Sequence, residues 1–180
     1  MASTIQVDKI QDTGGNTILS SNSTGTFTYE AASGANFTNL SGVGKVLQVV
    51  STSLTGTTIS TTSSSWAATT LTVDITPSAT SSKVFITATC GETYVVSHAS
   101  GFTLYRDATN LGSASAGFGL FYAPPGGSSD NKDPAFSLSY LDSPSSTSAV
   151  TYKVYIKTAG GTFYISSGAT VTITAMEIGA

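Results

Sequence analysis

The sequence predicts an all-β protein, a short strand-rich N-terminal stem followed by a C-terminal antiparallel β-sandwich of jelly-roll type. Three observations carry that expectation. Charged residues make up 9% of the chain and Ser and Thr about a third, against about 25% charge in an ordinary soluble domain. The polar surface is then built from hydroxyls, which suits strands with Thr or Ser at outward positions and suits long solvated helices poorly. Apolar residues alternate with period two over many short segments, and no stretch holds a 3.6-residue period.

The first region, 1–43, carries its apolar residues in isolated pairs: Ile5 and Val7, Ile18 and Leu19, Phe27 and Tyr29, Phe37 and Leu40. Turn signals separate them, such as Gly14-Gly15-Asn16 and Ser33-Gly34-Ala35-Asn36. These short strands hold too little side chain to bury a core alone. The regular beat of strand and turn favours self-association over disorder, with Ile5, Val7, Ile18, Leu19, Phe27 and Tyr29 converging on a three-fold axis. Unpaired strand edges also make this region the expected attachment site for another protein.

The second region, 44–180, is a run of alternating strands. Leu71, Val73 and Ile75 share one face, as do Val84, Ile86 and Ala88. Phe136, Leu138 and Tyr140 line another strand, and Val150, Tyr152, Val154 and Ile156 a fourth. Further strands are expected at 46–50, 94–98, 102–106, 118–122, 162–165 and 170–178, with breaks at Pro77, Pro124-Pro125-Gly126-Gly127, Pro144 and Gly160-Gly161. In the last strand Val171 and Ile173 share one parity and Met176 and Ile178 the other, which predicts a β-bulge near Ala175. That strand is expected to be central in its sheet. The stretch 51–65, nearly all Ser, Thr and Gly, is expected to be a polar edge strand.

Chemistry-bearing residues are few. Net charge is −3 and the pI about 4.8, so no basic surface offers itself to nucleic acid. No run approaches 18 apolar residues, so no membrane-spanning helix is expected, and the opening residues show no apolar secretory signal. Cys90 is the lone cysteine, which excludes a disulfide framework within the chain, and it ends an apolar face as a small buried hydrophobe. His98, the sole histidine, has no accompanying nucleophile motif, so a strand-end role is expected and no catalytic one. The 128–134 loop concentrates oxygen groups, among them Asp130, Asn131 and Asp133. It lacks the spacing of a calcium loop and contains Lys132, so a solvated turn is expected and no metal or cofactor. Glu177 and the Arg106-Asp107 pair are expected either to form an ion pair or to lie in solvent. The aromatic group Tyr94, Tyr105, Phe118, Phe121 and Tyr122 sits among Gly- and Ser-rich loops, and Tyr122 with Asp130, Asn131 and Asp133 forms the candidate surface-binding loop.

The segments Gly44-Lys45-Val46-Leu47-Gln48-Val49-Val50, Thr76-Pro77-Ser78-Ala79-Thr80-Ser81-Ser82-Lys83-Val84, Phe102-Thr103-Leu104-Tyr105-Arg106-Asp107, Leu141-Asp142-Ser143-Pro144, Thr151-Tyr152-Lys153-Val154 and Ile173-Thr174-Ala175-Met176-Glu177-Ile178 form a series. It resembles the C-terminal domain of tail-fibre-like virion proteins of bacteriophages, especially those infecting aquatic cyanobacteria. The opening Ala2-Ser3-Thr4-Ile5-Gln6-Val7-Asp8-Lys9-Ile10-Gln11 is similar to the starts of such proteins. The resemblance implies a trimeric component of the virion surface, assembled in the host cytoplasm, and carries over no ligand residue. The expectation is a non-enzymatic short tail fibre whose N-terminal region binds other virion proteins and whose knob meets the host surface, including its glycans. A trimeric capsid decoration protein is the second reading, and a free glycan-binding or hydrolase module the third.

Overall fold

The computed structural model describes residues 9–11, 13–15, 17–21, 27–28, 44–91, 93–95, 98–122 and 135–179. The chain divides into two compact units, Met1–Val43 and Gly44–Ala180. Among the described residues all regular structure is strand. In the first unit β1 (Lys9–Gln11), β2 (Thr17–Ser21) and β3 (Phe27–Thr28) form one antiparallel sheet in the order β1-β2-β3. Ile18 and Leu19 lie in β2 and Phe27 begins β3, while Ile5, Val7 and Tyr29 lie outside the described residues.

The second unit is an antiparallel β-sandwich. Its strands are β4 (Lys45–Leu54), β5 (Thr58–Thr61), β6 (Ala67–Ile75), β7 (Lys83–Cys90), β8 (Tyr94–Val95) and β9 (Ala99–Arg106), then β10 (Thr109–Asn110), β11 (Gly119–Tyr122), β12 (Phe136–Asp142), β13 (Val150–Thr158), β14 (Phe163–Ser167) and β15 (Val171–Gly179). One sheet runs β12-β7-β15-β4. The facing sheet runs β10-β9-β13-β6, with β11 also on β9, and a short sheet runs β5-β14-β8. The pairing is nested. β4 pairs β15, β5 pairs β14, β6 pairs β13, β7 pairs β12 and β9 pairs β11, as in one long hairpin. The contacts of β7 with β15, β8 with β14 and β9 with β13 then hold that hairpin folded over on itself.

Alternation decides which face is inside. Along β13 and β15 every second residue is buried, and Val84, Ile86, Ala88 and Cys90 follow the same beat along β7. These side chains meet Leu71, Val73, Ile75, Leu104, Phe163 and Ile165 between the sheets. Each full burial of a Val, Leu, Ile or Phe side chain contributes roughly 1.5–3 kcal/mol. Phe102 on β9 stacks on Phe136 of the opposite sheet with ring centroids 4.3 Å apart, and Phe121 links Phe102 to Phe163. On the wet side, directly opposed hydroxyls pair across the strands: Ser51 with Thr174 and Ser53 with Thr172, each at 2.9 Å. This is why Thr and Ser serve where other proteins place charge.

The interruptions of the ladders have local causes. Between β6 and β13 the register slips, and there the buried Thr69 hydroxyl donates to the Val154 carbonyl while accepting from Leu71 N–H. Turn 113–117 lies on the outer face of β9 because Gly117 has φ +62° and the Phe102 carbonyl occupies the space of any side chain there.

Two expectations change, and a third is refined. The bulge predicted near Ala175 is absent, since β15 keeps continuous register with β7 and buries Ala175 and Glu177 on the same face as Ile173. The register shift lies against β4 between Glu177 and Ile178, where Leu47 is the extra residue. His98 lies in a bend, and the strand expected there is confined to Tyr94–Val95 among the described residues. The stretch 51–65 is divided between the end of β4 and β5, both of which are edge strands. The placement of the last strand stands as expected: β15 is internal, between β7 and β4.

Ile173→Ala, at a site with no solvent exposure, should cost about 2–5 kcal/mol in urea unfolding. Thr174→Ala, one residue along on the outer face, removes the hydroxyl paired with Ser51 and should cost no more than about 1 kcal/mol. Equal losses at the two positions would contradict the assigned faces.

Candidate functional site

Polar chemistry in the second unit is concentrated in two buried carboxylates, and both face the space between the sheets. Asp142 ends β12, and its oxygens accept from Arg106 Nη1 of β9 at 3.0 and 2.8 Å and from the Tyr152 hydroxyl of β13 at 2.7 Å. Since β12 belongs to one sheet and β9 and β13 to the other, this group ties the sheets together at one edge. Burial first, and then the hydrogen bond to Asp142, pushes the Tyr152 phenol far above its ordinary value, so it stays a donor. Arg106–Asp142 is the salt bridge among the described residues.

Glu177 on β15 has no cation partner among the described residues. Its Oε1 accepts from the Ser78 amide at 2.7 Å, the Ser78 hydroxyl at 2.6 Å and the Ser82 hydroxyl at 2.7 Å, and its Oε2 accepts from Gln48 Nε2 at 2.6 Å. Gln48 Nε2 also donates to the Thr76 carbonyl. The carboxylate therefore fastens the 76–82 connection and β4 to β15. Burial alone raises the pKa of such a group. The bonds from Ser78, Ser82 and Gln48 together outweigh burial and hold it at about 2, down from 4.5. Among the described residues every buried side-chain nitrogen and oxygen has a partner.

These contacts correct the expectation for Glu177 and Arg106. They do not pair with each other and Glu177 is not in solvent: Arg106 belongs to Asp142, and Glu177 is held by hydroxyl and amide donors. Asp107 lies in the turn after β9 at φ 52°, where its Oδ1 accepts from Thr151 N–H. Asp142 was not legible as a partner in the sequence, because it stands 36 residues from Arg106 and only the two-sheet arrangement brings them together.

The aromatic group is dispersed. Phe121 enters the core, Phe118 meets Tyr140 edge-on, Tyr94 meets Tyr164, and Tyr105 stacks on Tyr155 with centroids 3.9 Å apart. Only Tyr122 stands well into solvent, at 72% exposure, at the end of β11. The other members of the candidate binding loop, Asp130, Asn131 and Asp133, lie outside the described residues. Cys90 is buried, with its thiol against the Ile165 carbonyl, and His98 is exposed. Among the described residues no three His, Cys, Asp or Glu side chains gather as metal ligands.

Glu177→Gln keeps the volume but removes the charge that its donors address, and should cost about 1.5–3 kcal/mol near pH 7. A carboxylate with a depressed folded pKa stabilises fully above its unfolded value, and that contribution is lost as pH falls from about 4.5 to about 2. Urea midpoints at pH 7, 4.5, 3 and 2 should therefore converge for wild type and Glu177→Gln toward the acid end. Parallel curves would remove Glu177 from the acid response. Asp142→Ala, which strands a partly buried guanidinium and a buried phenol, should cost about 3–5 kcal/mol by the same measurement.

No protein-family model matches this chain, and no curated protein matches it.

Proposed function

We propose that the protein is a non-enzymatic structural component of a bacteriophage virion, a short homotrimeric tail fibre. In this reading residues 1–43 are the stem that trimerises and attaches to other virion proteins, and residues 44–180 are the knob that meets the host surface. The observation that carries it is the division into two units of very unequal means. The described strands of the first unit are three short segments in one small sheet, which is too little to be stable alone and gains a core when copies share their apolar residues. The second unit uses Asp142 to join its sheets and Glu177 to fasten β4 and the 76–82 connection to β15, and it presents hydroxyls outside, as a durable display scaffold requires.

The nested pairing supports the finer reading of the fold. A jelly roll is a hairpin whose arms roll into two four-stranded sheets, and the order β12-β7-β15-β4, together with β6-β13-β9 and β11 on β9, supports that reading. The short sheet β5-β14-β8 continues the second order, because β5, β14 and β8 adjoin β6, β13 and β9 along the chain. Host contact, including contact with a surface glycan, belongs in this reading to the 123–134 segment that follows Tyr122, with Asp130, Asn131 and Asp133.

Light scattering of the full chain should give three times the 18.3 kDa chain mass. Deleting Met1 to Ser41 should leave a folded all-β unit that no longer joins particles lacking the full-length copy. A knob that still decorates such particles would reverse the roles of the two units. Copy number separates fibre from the decoration alternative: a decoration protein approaches the stoichiometry of the major capsid protein, and a fibre stays far below it.

A further inference from the structure

Among the described residues of the second unit six large apolar side chains stand more than a third exposed, and the register collects five of them into two patches. Leu141 opposes Phe85, Phe85 opposes Met176 and Met176 opposes Val49, so one apolar row crosses all four strands β12-β7-β15-β4 on the outer face. The next pair, Ile178 and Val46, widens this row into a band at the start of β4. Val46 and Val49 are each 56% exposed and Leu141 53%. The rest of that face is Ser and Thr, as in Ser51, Ser53, Thr172 and Thr174, with Lys83 opposite Ile178. The second patch is Leu120 with Tyr122, two residues apart on β11 in the other sheet. The apolar side chains of both patches are uncharged, and one lysine borders each: Lys83 opposes Ile178 beside the band, and Lys157 stands across Gly101 from Leu120.

We infer that the two patches are the halves of one contact between copies of this chain, with Leu120 and Tyr122 of one copy seated on the Val46–Val49–Leu141 band of the next. Closure of this contact into a ring of three rests on the homotrimeric reading above. The exposed parts of the band come to roughly 400 Å² and those of the second patch to roughly 300 Å², each a size at which an apolar patch is commonly functional. Joined, they supply about 700 Å² of apolar surface, which is close to the apolar share, about 58%, of the smallest standard interface of about 1,200 Å². A two-fold contact of band on band would leave Leu120 and Tyr122 in water. A head-to-tail contact covers both patches on every copy and closes when the rotation permits.

The test uses the full chain carrying both Val49→Cys and Tyr122→Cys, treated with a short thiol-to-thiol linker, beside each single variant and wild type with its buried Cys90. The double variant should yield covalent dimers and trimers, and the single variants and wild type none. Val49→Lys and Leu120→Glu should each weaken assembly about tenfold or more with strand content unchanged, and together in one chain should restore it. Dimers from Val49→Cys alone would establish a two-fold contact and overturn the inference. A scattering mass of three chains without covalent multimers in the double variant would also overturn it while leaving the trimer reading intact. A monomer at micromolar concentration would overturn both.

Discussion

The sandwich depends on one long-range pairing. β4 has β15 as its single neighbour, so the strand that opens the second unit is held by the strand that closes it, with Thr52 opposite Ile173. The same nesting repeats inward through β5 and β14, β6 and β13, and β7 and β12. Each pair can form only after the chain between its members has been gathered, and such non-local pairing puts folding in the slow range for small domains, milliseconds to seconds. Glu177 sits where this dependence is greatest. From β15 it reaches Gln48 on β4 and the Ser78 and Ser82 donors that precede β7, so one side chain secures the three strands whose alignment completes the sheet.

Scarcity of charge explains how the remaining polar groups are used. Ten carboxylates and seven Lys or Arg serve 180 residues, and two of the carboxylates are withdrawn into the interior. A buried carboxylate is costly unless fully bonded, and each of the two meets that condition in a different way. Asp142 takes a guanidinium and a phenol from the opposite sheet, and Glu177 takes only neutral donors. Both hold sheets or connections in register. The exterior is left to hydroxyls, which satisfy one another across strands and let Thr keep the backbone extended.

Period-two alternation made most of the strands legible, because Val84, Ile86 and Ala88 or Val150, Tyr152, Val154 and Ile156 admit one inward face. It misled at Glu177. A carboxylate counted as polar marks the outer face, so Met176 and Ile178 read as inward and a bulge was placed at Ala175. The structure instead keeps the beat, buries the carboxylate and leaves Met176 and Ile178 outside. The outer apolar band was illegible for a related reason: Leu141, Phe85, Met176 and Val49 are single exceptions within four separate strands, and only cross-strand register brings them into line. The Arg106–Asp142–Tyr152 group required the facing of the two sheets, which alternation alone does not specify. The stem residues Ile18, Leu19 and Phe27 fall in strands of a small sheet, and the 123–134 segment lies beyond what the structure describes.

The hydroxyl ladders along β4 and β15 bear on how the molecule meets different waters. Ion pairs on a surface weaken as dissolved salt rises, since screening at 0.15 M already acts within about 8 Å. Paired Ser and Thr hydroxyls carry no net charge for ions to screen, and the carboxylates that matter most are enclosed. A shell made this way keeps nearly the same cohesion in dilute and in saline water. It also offers little field to steer an approaching molecule, and unsteered protein encounters proceed at about 10⁵–10⁶ M⁻¹s⁻¹.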